Sequence, residues 1–373
     1  MGISPKELSI ASTARPFLER RRHRSRPGTS EIETTKGVVW QRWDPRQREA
    51  FVTQAVVYWR RKGFPYYALT EQQRSRELAC LQAYDHNRIF AGDEVIANTL
   101  GLRLANYFHP QMWHVRCTRY WSPFETFSND TKLAGAIRRA LTIWPDRFGA
   151  NASSLRRILK SFSNTVGVSN FRPTVAAAVI SRYSPARGRV LDFAAGYGGR
   201  LLGAQVTERA YYGIDPSIRQ VRGLCKMASL CGRTGGAPRP IIRRGAAESL
   251  LAGLTSATFD LVFSSPPYFD REKYGAEREQ SFVRYQTMGE WREGFLLPVI
   301  HESARLLKPG GYLVLNVCKK PDDIAAMTLE IARRDFELKK VWKMRLAKLP
   351  YKRLHPSDAY KWEPILVFKK RDV

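Results

Sequence analysis

The sequence predicts an α/β fold, a mostly parallel sheet of about seven strands, preceded by a mainly helical region. Three observations carry that expectation. After about residue 170, short apolar strands alternate with helical stretches, the rhythm of a sheet covered on both faces. The first of these strands runs into Gly196-Tyr197-Gly198-Gly199, a tight turn leading into a helix. Before residue 165 the texture is different, with helical spacing of apolar residues and a concentration of tryptophans.

Taken in order, strands are expected at 189–193, 210–214, 240–243, 259–264, 311–317, 336–346 and 364–369. Helices are expected between most of them, at 173–183, 216–231, 289–307 and 322–333. Residues 166–373 then form one α/β domain. Residues 37–165 form a mainly helical domain, with helical spacing at 71–84 and 94–107. Trp40, Trp43, Trp59, Trp113, Trp121 and Trp144 fall in it, interleaved with basic residues such as Arg60-Arg61-Lys62. Aromatics at this density belong to a core more often than to a base-stacking platform. Residues 1–36, with Arg20-Arg21-Arg22-His23-Arg24, are breaker-rich and read as a basic disordered arm.

Charge narrows the partners. The 373 residues carry 62 Lys+Arg against 34 Asp+Glu, a net charge of +28, and a field of that sign attracts nucleic acid first. No apolar run is long enough to span a membrane, so no membrane partner is expected. The five cysteines are scattered without a paired C-x-x-C, which fits a reducing compartment better than a disulfide scaffold, and a cytoplasmic setting is expected, nucleoid-associated if the protein is bacterial or phage-encoded. The six histidines show no metal-ligand spacing, and no metal is expected.

The chemistry concentrates at strand ends. Asp192-Phe193-Ala194-Ala195-Gly196-Tyr197-Gly198 lets the backbone approach a ligand closely. Asp215 ends the next strand, placed to accept hydrogen bonds from ribose hydroxyls. The turn is not G-x-G-x-x-G and no Walker lysine follows, so a nucleoside without a pyrophosphate fits better. Gly245-Ala246-Ala247-Glu248 is a small-residue turn suited to lying beside a purine. The fourth strand ends in Ser265-Pro266-Pro267-Tyr268, where the prolines fix φ and remove backbone donors. A serine acceptor, the Pro266 carbonyl and an aromatic face would together hold a planar amine.

These residues resemble the class I S-adenosylmethionine-dependent methyltransferases, Rossmann-like enzymes, and among them those that methylate exocyclic amines of DNA bases. The resemblance covers roughly residues 165–373. It implies S-adenosylmethionine as cofactor, held by Phe171, Asp192, Ala194, Gly196, Gly198, Asp215, Ala246 and Glu248. It implies catalysis by Ser265, Pro266, Pro267 and Tyr268; outside it, the basic cluster Arg60-Arg61-Lys62 is expected to neutralise nucleic-acid phosphates. Serine at the first motif position favours N4 of cytosine over N6 of adenine. The expected partner is duplex DNA with the target base flipped out, as in site-specific modification enzymes. RNA base methylation is the alternative, because the loop lacks the Asp-Pro-Phe-x-Gly-x-Gly-Thr-Thr common in the DNA enzymes. A non-catalytic nucleic-acid-binding protein on the same fold is the third reading. No Pro-Cys dipeptide is present, which argues against a cysteine nucleophile.

Overall fold

A computed structural model describes residue 32 and residues 37–144, 150–232, 236–318, 323–348 and 360–371. The basic stretch Arg20–Arg26 lies outside the described residues. The chain divides into two compact units, one made of residues up to 66 with 113–168, the other of residues 67–112 with 169–373.

The first unit is helical. Its helices are Gly37–Arg42, Pro45–Lys62, Pro123–Ser128, Asp130–Ile143 and Ala152–Leu159. The longest starts where its sequence says it should. Asp44 accepts from the Gln47 backbone N–H at 2.9 Å, Gln47 reciprocates, and Pro45 takes the first helical position, where a missing N–H costs nothing. Trp59 is fully buried, and its indole N–H donates to the Ala150 carbonyl at 3.2 Å. Trp40 and Trp113 are buried as well, and Phe64 packs against Trp113 and Phe127 at ring separations of 5.4 and 5.2 Å. These aromatics form a core.

The second unit is built on a nine-stranded sheet. Its strands are β1 (Phe90–Ala91), β2 (Glu94–Val95), β3 (Arg189–Asp192), β4 (Ala210–Asp215), β5 (Ile241–Arg244), β6 (Phe259–Ser264), β7 (Leu307–Asn316), β8 (Phe336–Lys348) and β9 (Tyr360–Lys370). Their spatial order is β1-β2-β8-β9-β7-β6-β3-β4-β5. The run from β5 through β4, β3 and β6 to β7 is parallel; β9 is antiparallel to both β7 and β8. Side chains alternate across this sheet. On β9, Ile365 and Val367 enter one core beneath the Pro173–Tyr183 and Gly199–Val206 helices, while Leu366 and Phe368 enter the other beneath Leu297–Leu306 and Ile324–Ala332. The fold is the Rossmann-like α/β arrangement that the alternation predicts.

Two expectations change. Residues 67–112 group with the sheet rather than with the helical unit, so the expected cut at 165/166 is replaced by three crossings of the chain between units. The physical cause is burial: Leu78, Leu81, Ile89, Val95 and Leu104 are all at or below 1% exposure in the core over β3 and β6. The helix expected over 94–107 is also shorter. Glu94 and Val95 pair in parallel with Lys343 and Met344, and the helix begins only at Leu102, after Gly101 turns left-handed with φ 78°. An edge strand in need of a partner outweighed the helical spacing.

Candidate active site

The parallel strands deliver their loops to one edge, where open α/β sheets bind ligands. After β3 the chain turns through Gly196 and Gly198, at φ 55° and 76°, a conformation that costs glycine little. A Cβ added to Gly196 would meet only the Ala194 carbonyl oxygen, at 3.7 Å, an ordinary contact, so the turn is uncrowded there. Gly199 is the opposite case. A Cβ there would lie 2.0 Å from the Phe171 carbonyl oxygen, so the Ser169–Arg172 segment presses directly on the start of the following helix. Asn170 locks that approach, donating to the Tyr197 carbonyl at 2.9 Å and to Asn106 Oδ1 at 3.2 Å.

Asp192 and Asp215, a pair in the sequence, have different surroundings. Asp192 is 0% exposed and accepts from Arg200 Nε at 2.7 Å, the Tyr211 hydroxyl at 2.7 Å and the Ser264 hydroxyl at 2.8 Å. Its oxygens are engaged inside the protein, where they anchor the turn and do not face the cleft. Arg200 also donates to the Ala194 carbonyl, and the Ala194 N–H donates to Ser264 Oγ at 3.1 Å. Arg200 and Ser264 were not singled out in the sequence. The signal was there in Arg200, the lone charge in the Gly199–Val206 helix, which burial obliges to pair.

Asp215 accepts from the Gly196 N–H at 2.8 Å and the Ser217 N–H at 2.9 Å, tying the glycine turn to the end of β4. Burial is the largest influence on its carboxyl and pushes it up to about 7, against the lowering effect of those two backbone donors. Ala246 is buried and caps the short helix Ala247–Leu250. Glu248 is drawn away from this turn: it pairs with Arg284 at 2.8 Å and accepts from the Tyr285 hydroxyl at 3.2 Å.

At the end of β6, the two adjacent serines divide their work. Ser264 is fully buried in the Asp192 network, while Ser265 is half-buried and its side chain hydrogen-bonds the Tyr268 phenol. Pro266 is buried, and Phe269 turns left-handed at φ 52°, a strained setting for a bulky residue, with its ring 6.4 Å from Trp291. The motif thus runs into a tight turn, closed by the Arg271 N–H donating to the Tyr268 carbonyl at 3.1 Å. The segment that follows is fastened along the sheet edge by Glu277, which accepts from the Ile218 N–H at 3.2 Å, and by the Glu279–Arg244 pair at 3.3 Å.

Residues 259–373, beginning with β6 and its Ser265–Tyr268 end, match the DNA methylase family. That is the family the motifs resemble. The matched segment holds β6 with the Ser-Pro-Pro-Tyr motif, and the glycine turn and Asp215 precede it. Solved structures similar to this chain include TrmN from Thermus thermophilus, at 16% identity over 53% of this chain and 49% of that one, TM-score 0.38. Others are a SAM-dependent methyltransferase from Methanosarcina mazei, at 15% identity over 52% of this chain and 96% of that one, TM-score 0.35. A precorrin-6y C5,15-methyltransferase from Geobacter metallireducens is similar at 15% identity over 53% of this chain and 88% of that one, TM-score 0.37. This chain therefore spans about half of TrmN, and superpositions at this level add nothing to what the strand order gives. No curated protein matches the chain.

In the helical unit, the three basic residues expected on nucleic acid are not equivalent. Arg60 donates to Asp130 at 2.6 Å and lies 5.1 Å over the Phe127 ring. Lys62 donates to the Tyr58 hydroxyl at 2.7 Å. Arg61 is exposed and makes no ion pair among the described residues. No helix of the described residues is long and apolar enough to cross a membrane.

Proposed function

We propose that this protein is an S-adenosylmethionine-dependent DNA amino-methyltransferase acting on an exocyclic base amine, with N4 of cytosine preferred to N6 of adenine. The observation that carries the reading is Ser265-Pro266-Pro267-Tyr268 at the end of β6, inside the segment matched to DNA methylases and on the strand beside the one that leads into the glycine turn.

The donor fits the residues present. The left-handed turn at Gly196 would receive its methionine part, and Asp215 is the acid at the neighbouring strand end. Asp192 has no role toward it beyond holding the turn. Phe171, Ala194, Gly198 and Ala246 would line its place, and Glu248 acts through Arg284. When bound, the donor supplies a methyl group on a positively charged sulfur, already activated, so the protein's work is positioning.

An exocyclic amine is a weak nucleophile because its lone pair is delocalised into the ring. Ser265 and the Pro266 carbonyl would accept hydrogen bonds from the two amino protons and draw the nitrogen toward tetrahedral geometry. Tyr268 would stack on the flipped base. Arg61 and its exposed neighbours in the helical unit would contact phosphates, leaving recognition of the site to the same unit.

The test is to expose duplex DNA and, separately, RNA to the protein with labelled donor, then identify the methylated nucleoside by mass spectrometry. N4-methylcytosine in DNA is the expected product. N6-methyladenine would move the target atom, a product in RNA alone would move the polymer, and no product in either would leave a binding protein on this fold.

A further inference from the structure

On the methyltransferase reading above, on which this inference rests, methylation leaves the amine nitrogen cationic with one proton too many. A serine hydroxyl is no base at neutral pH. The structure brings a carboxylate to the same edge. β6, β7 and β9 are neighbours, with Ser264 registered on Leu315 and Ile365 on Asn316. Phe263, Val314 and Ile365 all enter the same core, so by alternation Ser265, Asn316 and Glu363, each two residues further toward the cleft, share that face. Asn316 is 3% exposed; its amide donates to the Pro364 carbonyl at 3.2 Å, and its side chain also hydrogen-bonds the Glu363 carboxyl. Glu363 is half-buried, and its charge bears on the Tyr268 phenol.

We propose that Glu363, oriented by Asn316, is a catalytic residue that accepts the proton of the target amine. As the amine lone pair forms the N–C bond, the C–S bond breaks and its electron pair stays on sulfur, which becomes a neutral thioether. The cationic nitrogen then gives one proton to the Glu363 carboxylate, which passes it to water. The other acid nearby, Glu272, is already hydrogen-bonded by the Tyr274 phenol, and Asp270 is exposed.

The groups that bear on Glu363 come from each side. Glu272 and Arg271 lie in the segment after the motif, Tyr268 lies in the motif, and the register partner on β8 is the apolar Met344. Burial dominates and holds the carboxyl above its usual range, which makes it a stronger proton acceptor than an exposed glutamate.

The experiment uses the full chain, mixed-sequence duplex DNA and labelled donor, with single-turnover rates measured against pH for wild type, Glu363→Gln, Glu363→Asp and Asn316→Ala. Glu363→Gln should slow methyl transfer by about 100-fold or more while leaving donor affinity, read by calorimetry, within about twofold. The wild-type rate should rise with pH through the raised carboxyl, and Glu363→Gln should lose that dependence. Glu363→Asp should keep part of the rate with its pH dependence displaced, and it decides the matter if Glu363→Gln does not fold. Asn316→Ala should displace the wild-type pH dependence. A Glu363→Gln protein with the wild-type rate and pH profile would overturn the inference alone. A wild-type protein that methylates neither DNA nor RNA overturns the methyltransferase reading, and the two failures are distinct.

Discussion

Asp215 carries two duties that pull in opposite directions. Its carboxylate holds the Gly196 and Ser217 N–H groups, yet burial favours the neutral acid and raises it to about 7. Because the folded state keeps a proton that the unfolded chain releases near pH 4, stability contributed by this group falls as pH rises from about 4 to about 7, then levels off. Asp215→Asn removes that titration. The melting temperature of Asp215→Asn minus that of wild type should therefore climb across this window and be flat above it, measured by thermal unfolding at several pH values. A flat difference throughout would show that Asp215 is not held at a raised value. The donor should bind Asp215→Ala at least about tenfold more weakly, since a hydrogen bond to a charged group is worth about 1.5–3 kcal/mol.

Tyr268 gives the complementary residue-scale prediction. If it touches only the base, Tyr268→Ala should lose most methyl transfer while calorimetric donor affinity stays near wild type. Gly199 tests packing instead of chemistry. The Phe171 carbonyl that its Cβ would strike is backbone and cannot swing aside, so Gly199→Ala should destabilise by about 1–3 kcal/mol or more in urea unfolding.

At the scale of elements, the segment after Ser265–Tyr268 is a strap held at three points: Glu277 on the Ile218 N–H, Glu279 on Arg244, and Glu248 with Arg284. The first is a carboxylate accepting from the first residue of the Ile218–Cys231 helix, where the helix dipole favours negative charge. Glu277→Ala should speed hydrogen exchange of peptides spanning 270–285 several-fold without altering exchange in β3 or β6. Unchanged exchange would mean that the strap is held by its packing alone. The added pair β1–β2 is a different kind of device: it covers β8, which would otherwise be an open edge.

For the molecule as a whole, a net charge of +28 sets up a field that attracts polyanions, but charge and contact are different things. Arg60 is paired with Asp130, while Arg61 is exposed in the same helix. Arg61→Glu should weaken duplex DNA binding and make the log–log salt slope shallower by about 0.9 for each phosphate that the protein no longer neutralises, with donor affinity unchanged. An unaltered slope would remove Arg61 from the interface.

Much of this was legible along the chain because it rests on local rules. The alternation of strand and helix set the sheet, and every strand expected between 189 and 369 lies within a few residues of an observed one. The glycine turn, Asp215 and Ser-Pro-Pro-Tyr announced themselves because backbone constraints and strand ends leave their mark within a few residues. What the sequence could not decide was which polar groups use one another up. Asp192 and Asp215 look alike as acids at strand ends; only packing put Arg200, Tyr211 and Ser264 around the first and left the second at the turn. Only the register of β9 beside β7 set Glu363 and Asn316 on the face that continues from Ser265, across more than fifty residues of chain. Spacing fixes what a segment can become, because its physics is local. Partnership of buried charges is a property of the folded interior, where water is excluded and each donor must find an acceptor from whatever strand the topology brings alongside.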